Sequence, residues 1–170
     1  FTDGSFLVNP SLSEIAQKGG RKSEASETMY DVTIIGAGPA GLSAAVYGGS
    51  EGLKTLLIER RAPGGQAGTS SRIENYLGFP SGLSGQDLSR RAITQATRFG
   101  IEFLSPAEVT NIETKDGYKI LTLGDGKTIN TRTVVVTTGV DYRKLEAPGM
   151  NDFTGAGIYY GAATTEAAAC

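Results

Sequence analysis

Gly36, Gly38 and Gly41 follow directly on the apolar run Val32-Thr33-Ile34-Ile35 and lead into the small-residue stretch Leu42-Ser43-Ala44-Ala45. The six residues Gly36-Ala37-Gly38-Pro39-Ala40-Gly41 have the spacing G-x-G-x-x-G, which suits one kind of chemistry. The first glycine makes the tight turn after a strand, and the second lets the backbone approach a pyrophosphate. The third lets a helix pack closely on the strand, and that helix offers the anion free N–H groups and a positive dipole end. A second apolar run, Thr55-Leu56-Leu57-Ile58, ends in Glu59, 18 residues beyond Gly41, where an acid that bonds a ribose belongs. The plainer alternatives are a glycine-rich turn of an unrelated α/β protein and a solvated acid at a strand end.

Other chemistries are missing from the composition. The chain has no histidine, which removes Ser-His-Asp and Cys-His catalysis and most zinc chemistry. Its one cysteine, Cys170, can form neither an internal disulfide nor a C-x-x-C pair. No catalytic side chain and no metal ligand set is expected, so redox chemistry by this chain alone needs a bound cofactor to carry the electrons. A net charge of −2 gives no basic footprint for nucleic acid. No apolar stretch has membrane-spanning length and no signal-peptide layout opens the chain, so the expectation is a cytoplasmic protein.

The elements that must position the glycines follow from periodicity. Asp31–Ile35, Pro39–Ser50 and Lys54–Glu59 are predicted as strand, helix and strand. Residues 60–83 form a loop rich in Gly, Ser and Pro whose Ile73, Tyr76, Leu77 and Phe79 suggest an ordered, functional segment. A helix is predicted from Ser84 to Phe99, with Leu88, Ala92, Ile93 and Ala96 at helical spacing and a stop at Gly100. Ile101–Leu104 is a third short strand. The period then becomes two, and Glu108–Thr114, Tyr118–Leu123 and Lys127–Asn130 are predicted as a small antiparallel meander. Thr133–Thr137 looks like a fully buried central parallel strand. Gly126-Lys127-Thr128 imitates the end of a P-loop, but Leu121 stands where the loop's first glycine is required.

Upstream of Tyr30, the pattern suggests a strand, an Asp3-Gly4 turn, a second strand Phe6-Leu7-Val8, and a short helix through Glu14, Ile15 and Ala16 ended by Gly19-Gly20. A hairpin and one helix cannot close a core. Residues 1–21 are therefore expected to be the remnant of an upstream module, residues 22–29 a linker, and residues 30–170 the dinucleotide domain.

A Rossmann start, a β-meander and a strand ending in Thr-Gly resemble the flavoprotein disulfide-reductase superfamily. Pro63-Gly64-Gly65-Gln66, Ile73-Glu74-Asn75-Tyr76 with Gly78-Phe79-Pro80, and Thr137-Thr138-Gly139 make the resemblance specific to the FAD half of a thioredoxin-reductase-like oxidoreductase. It covers roughly Tyr30 to Cys170. The implied fold is α/β: a Rossmann-like FAD-binding domain with a parallel central sheet and a small antiparallel meander. The resemblance implies that Gly36, Ala37, Gly38, Pro39, Ala40 and Gly41 cradle the FAD pyrophosphate and that Glu59 bonds the adenosine ribose. Gly64, Gly65 and Gln66 would lie against the ribityl-diphosphate, and Asn75 would offer its amide to the isoalloxazine edge. Val109 would present backbone groups to adenine, and Thr138 and Gly139 would close over the cofactor. Arg60 and Arg61 directly follow Glu59 and keep open an NADP 2′-phosphate at the same site. For Gln66 and Asn75 the plainer role is to stabilise their own loop. Tyr76 and Phe79 are read as loop-anchoring core and Arg143 as a surface charge.

The chain departs from that family in two ways. Aligning Gly155–Thr164 with the redox segment puts Gly161 and Thr164 where the C-x-x-C cysteines belong, and neither exchanges thiols. The 170 residues also hold one G-x-G-x-x-G, so the NAD(P)H domain is expected to be absent and the chain to be a weakly FAD-retaining, inactive fragment. In the parent, the resemblance implies NAD(P)H as hydride donor to flavin N5, an unidentified acceptor that includes a redox protein, and a homodimer. A nicotinamide-binding oxidoreductase domain and a non-catalytic flavin redox sensor remain the alternatives.

Overall fold

The computed structural model describes residues 6–10, 14–15, 18–20, 24–141, 143, 145–153 and 157–158. Residues 1–139 and 140–170 form two compact units. The first contains β1 (Tyr30–Ile35), α1 (Pro39–Ser50), β2 (Thr55–Ile58), a 3-10 turn (Gln66–Thr69), α2 (Gly85–Arg98), β3 (Glu102–Leu104), β4 (Val109–Lys115), β5 (Tyr118–Leu123) and β6 (Thr128–Val136). The described part of the second holds a short helix, α3 (Met150–Phe153).

The six strands form one sheet in the order β3-β2-β1-β6-β5-β4. The β3-β2-β1-β6 side is parallel, and β6-β5-β4 is antiparallel. Apolar side chains divide between the two faces. Ile34, Leu57 and Ile101 pack with Leu42 and Ala45 of α1 and Ala96 of α2. Leu56, Ile58 and Leu104 pack with Leu121, Leu123 and Ile129 of the antiparallel half. All four residues of β2 are buried, as a β-branched and leucine run covered on both faces should be.

Helix α2 starts where its side-chain chemistry dictates. Ser84 Oγ accepts the Asp87 N–H at 3.1 Å, a cap worth about 1 kcal/mol. The helix ends at Phe99, with Gly100 at φ 75° supplying the left-handed exit. Loop 60–83 is ordered: Ile73 and Leu83 exchange backbone bonds at 2.7 and 3.0 Å, and the Gly85 N–H reaches Ser70 O at 2.9 Å.

Three strand expectations need correction. The predicted meander strand Lys127–Asn130 and the central strand Thr133–Thr137 are a single strand, β6. Thr131 pairs with Lys119 on one side and Tyr30 on the other. The polar residues that suggested a break are satisfied in place. Asn130 Nδ2 donates to Thr28 O at 3.3 Å, Thr131 Oγ1 to Thr133 O at 3.0 Å, and Arg132 Nε lies 3.3 Å from the Asp31 carboxylate. Nor is the valine run fully buried. Pairing with β5 ends at Thr131, Val134 and Val135 are half-buried, and Val136 is 63% exposed.

Phe6–Val8 is irregular backbone rather than a strand, with Phe6 81% exposed. A strand needs a ladder partner, and none of the described residues pairs with it. Glu14, Ile15 and Lys18 are helical, and the Gly19 N–H closes on Ile15 O at 2.9 Å. The predicted first strand at residues 1–2, the Asp3-Gly4 turn and Ala16 lie outside the described residues. The polar stretch before β1 is bonded along the sheet. Ser26 N and Oγ donate to the Glu102 carboxylate at 2.9 and 2.6 Å, and Lys54 and Lys127 pair with Glu27 and Glu24.

Candidate dinucleotide site

The carboxyl ends of β1, β2 and β6 bring the glycine loop together with its predicted partners. Gly36 leaves β1 at φ 101°, and its N–H donates to Ile58 O at 2.8 Å. A Cβ at Gly36 would strike the Thr137 carbonyl, and one at Gly41 would strike the Gly36 carbonyl, so both positions need glycine for close approach. Gly38 is different. Its φ of −73° and ψ of −177° suit any residue, and a Cβ there would meet no atom within 4 Å. The absent side chain leaves open space directly before the first turn of α1. Pro39 occupies that turn without an N–H, and no acidic residue stands in it. The first N–H groups of the helix and its dipole are left to an outside anion.

Glu59 lies across this loop. Its Oε2 accepts the Ala37 N–H and its Oε1 the Arg61 N–H, both at 2.8 Å. Each carboxylate oxygen keeps acceptor capacity for a hydroxyl. The Glu59 carbonyl receives the Ala107 N–H at 2.9 Å, which fixes the start of the meander beside the loop. Val109, two residues on, begins β4 at a register shift and packs its side chain in the meander core.

Gly64 and Gly65 form the second wall. The Gly64 N–H donates to Ala37 O at 2.7 Å, and a Cβ on Gly65 would lie 3.0 Å from Gly38 Cα. Gln66 is exposed at the start of the 3-10 turn, and its carbonyl accepts Thr69 Oγ1 at 2.8 Å. Arg60 is exposed beside Glu59, Ala40 is exposed on the first turn of α1, and Thr138 and Gly139 are exposed just past β6. Asn75 is exposed. Its neighbour Tyr76 reaches α1, where the hydroxyl lies 2.7 Å from Ser43 Oγ and Ser43 in turn donates to Pro39 O at 2.8 Å. Tyr76 and Phe79 thus anchor the loop, with ring centroids 6.3 Å apart and Arg91 over the Phe79 ring. Gly161, Thr164 and Cys170 lie outside the described residues.

Thr137 was not among the predicted site residues. Its Oγ1 lies 2.8 Å from Gly36 O and 3.0 Å from Ile35 O. The Thr137-Thr138-Gly139 motif marks the position but not the bonds its hydroxyl makes. The contact spans about a hundred residues and appears only when β6 lies beside β1.

The arrangement is a backbone cradle with room for a dinucleotide pyrophosphate and an acid beside it. A family profile described as pyridine nucleotide-disulphide oxidoreductase matches residues 30–167. The chain belongs to that family. It is thioredoxin-reductase-like within it: it is 41% identical over 134 residues to the thioredoxin reductase of Listeria monocytogenes and 40% identical over 134 residues to that of Bacillus subtilis. These alignments cover 79% of the chain and 41% and 42% of those relatives, so the chain spans about two fifths of their length. Solved structures agree. The Lactococcus lactis thioredoxin reductase superposes with a TM-score of 0.66 at 40% identity, covering 73% of this chain and 40% of that one. The T. acidophilum enzyme gives 0.68 at 30% identity over 77% and 42%. The mixed sheet, parallel with an antiparallel part, is the fold of those neighbours. Among the described residues no helix is long and apolar enough to cross a membrane.

Proposed function

We propose that this chain is the FAD-holding portion of an NAD(P)H-dependent, thioredoxin-reductase-like flavoprotein oxidoreductase. The observation that carries the reading is the open space at Gly38, walled by Gly64-Gly65 and the first turn of α1, with the Glu59 carboxylate across the loop. Gly36 to Gly41 hold the pyrophosphate by backbone N–H groups, and Glu59 takes the ribose hydroxyls. Gly64, Gly65 and Gln66 lie along the diphosphate, the backbone groups of Val109 face adenine, and Thr138 and Gly139 cover the cofactor from the end of β6. Asn75 turns its amide to the flavin edge, held there by the bond of Tyr76 to Ser43. Arg60 stays at the rim of the ribose. Bound FAD supplies the redox chemistry, accepting a hydride from a reduced nicotinamide at N5. The protein's share is orientation and exclusion of water.

Gly161 and Thr164, where the family carries its two cysteines, point away from a dithiol relay in this segment. The acceptor is then a disulfide elsewhere, a quinone, oxygen or a redox protein. The 170 residues hold one dinucleotide motif, so turnover by them alone is not expected. A cytoplasmic setting and a homodimer accompany the reading, checked by cell fractionation and light scattering.

The test is a visible spectrum of the protein after FAD loading, before and after anaerobic NADPH. Retained flavin bands support the FAD site, and bleaching by NADPH supports the hydride step. Bands that persist unbleached favour a redox sensor. Absence of flavin bands, with NADP binding instead, sinks the flavin reading and gives Arg60 and Arg61 the 2′-phosphate.

A further inference from the structure

We infer that the Thr137 hydroxyl is a positioning group for the pyrophosphate, acting through the Gly36 turn. This rests on the reading of the glycine loop as a dinucleotide cradle. Thr137 Oγ1 sits 2.8 Å from the Gly36 carbonyl and 3.0 Å from the Ile35 carbonyl, so one proton is shared between two acceptors. The backbone of Thr137 also donates to Ile35 O at 2.8 Å. A Cβ placed on Gly41 would lie 2.7 Å from the same hydroxyl. Thr137 Oγ1 therefore fills the space between the first and last glycines of the G-x-G-x-x-G and clamps the turn from the neighbouring strand.

The clamp has an electrostatic consequence. The loop binds an anion with N–H groups, and a carbonyl swung toward the same space would repel it. The hydroxyl engages the Gly36 oxygen and holds the peptide unit in the orientation that leaves the Gly38 cradle to N–H donors. Thr137 stands one residue past β6, beside the end of β1, and the Gly41 position admits no side chain that could take its place. Thr137 touches no cofactor atom in this role. It sets how rigidly the cradle is preformed, and preorganisation shows as affinity.

The experiment compares Thr137→Ala, which removes the hydroxyl, with Thr137→Ser, which keeps it. Ile129→Val is the control for stability alone, since Ile129 lies in the meander core. Affinities for FAD and for ADP, which carries the pyrophosphate without the flavin, are measured by fluorescence and calorimetry beside the thermal midpoint of each protein. Thr137→Ala should weaken both ligands about tenfold, Thr137→Ser should restore most of that, and Ile129→Val should lower the midpoint with affinities unchanged. Equal affinity of Thr137→Ala and wild type overturns the inference, as does an equal loss in Ile129→Val. Should Thr137→Ala not fold, Thr137→Val, which keeps the branched shape without the donor, is held to the same expectation. A wild-type chain that binds ADP but not FAD defeats the flavin reading while the Ala/Ser contrast still decides the clamp. One that binds neither overturns both.

Discussion

The carboxylate of Glu59 and the backbone N–H of Ala37 meet at 2.8 Å, and the other carboxylate oxygen holds the Arg61 N–H at the same distance. One side chain at the end of β2 thus splints the glycine loop to the segment that leads into the second glycine pair. A ribose would bond to a group that is already fixed, at little cost in ordering.

Glu59→Gln tests this directly. The amide keeps one acceptor oxygen but turns an NH2 against an N–H donor, so one of the two loop bonds is lost. The expected cost is about 1–2 kcal/mol of stability, together with weaker FAD binding. Urea midpoints and flavin fluorescence titrations check both. A variant unchanged in both would remove Glu59 from the site.

Gly38 and Gly41 are predicted to fail differently. A methyl at Gly38 enters open space on an allowed backbone, so Gly38→Ala should fold with stability within about 0.5 kcal/mol of wild type. It should nonetheless lose FAD affinity by more than about tenfold, because the methyl fills the place of a phosphate oxygen. A methyl at Gly41 meets the Gly36 carbonyl and should cost about 1–3 kcal/mol of stability before any ligand is added. Thermal melts of the two apoproteins separate the cases. A stable Gly41→Ala, or a Gly38→Ala that binds normally, contradicts the geometry.

The contrast between those glycines also shows what the sequence could reveal. The strand-turn-helix from Tyr30 to Ser50 was legible because its signals are local: an apolar run, three spaced glycines and a small-residue helix. Helix α2 was legible for the same reason, through its apolar spacing, Ser84 and Gly100. The single strand β6 was not. Asn130-Thr131-Arg132 looks like a break, and only its partners Thr28, Tyr30 and Asp31, about a hundred residues away, make it continuous. The bonds of the Thr137 hydroxyl stayed hidden for the same reason, although the Thr137-Thr138-Gly139 motif was visible. Residues whose role is to touch backbone from another strand carry no spacing signature.

Tyr76 ties the Asn75 loop to α1 through Ser43, which itself bonds to Pro39 O in the cradle's first turn. Tyr76→Phe removes the hydroxyl and keeps the ring against Phe79. The expected result is a loss of about 1 kcal/mol, with faster hydrogen exchange confined to residues 73–82. Ser43→Ala should cost at least as much, since it also removes the bond to Pro39 O, and the double variant should cost less than the sum, since both single variants remove the Tyr76–Ser43 bond. Additive losses would mean that the Tyr76–Ser43 bond contributes nothing.

Tyr30 supplies a pH signature at the other end of the sheet. It is 1% exposed, and its hydroxyl donates to Glu102 Oε2 at 2.6 Å. Burial first, and the bond to Glu102 second, push its pKa from the ordinary 10.0 up to about 12. Below pH 10 the phenol is protonated in both folded and unfolded chains, and its contribution to stability is complete. Between pH 10 and 12 the unfolded chain releases the proton and the folded chain keeps it, so the unfolded state gains. Stability should fall by on the order of 2 kcal/mol across that window. Tyr30→Phe removes the ionisation, so its stability should fall less steeply between pH 10 and 12 despite starting lower at neutral pH. Urea midpoints by circular dichroism at half-unit steps read the difference, and parallel curves for the two proteins would show that Tyr30 ionises alike in both states.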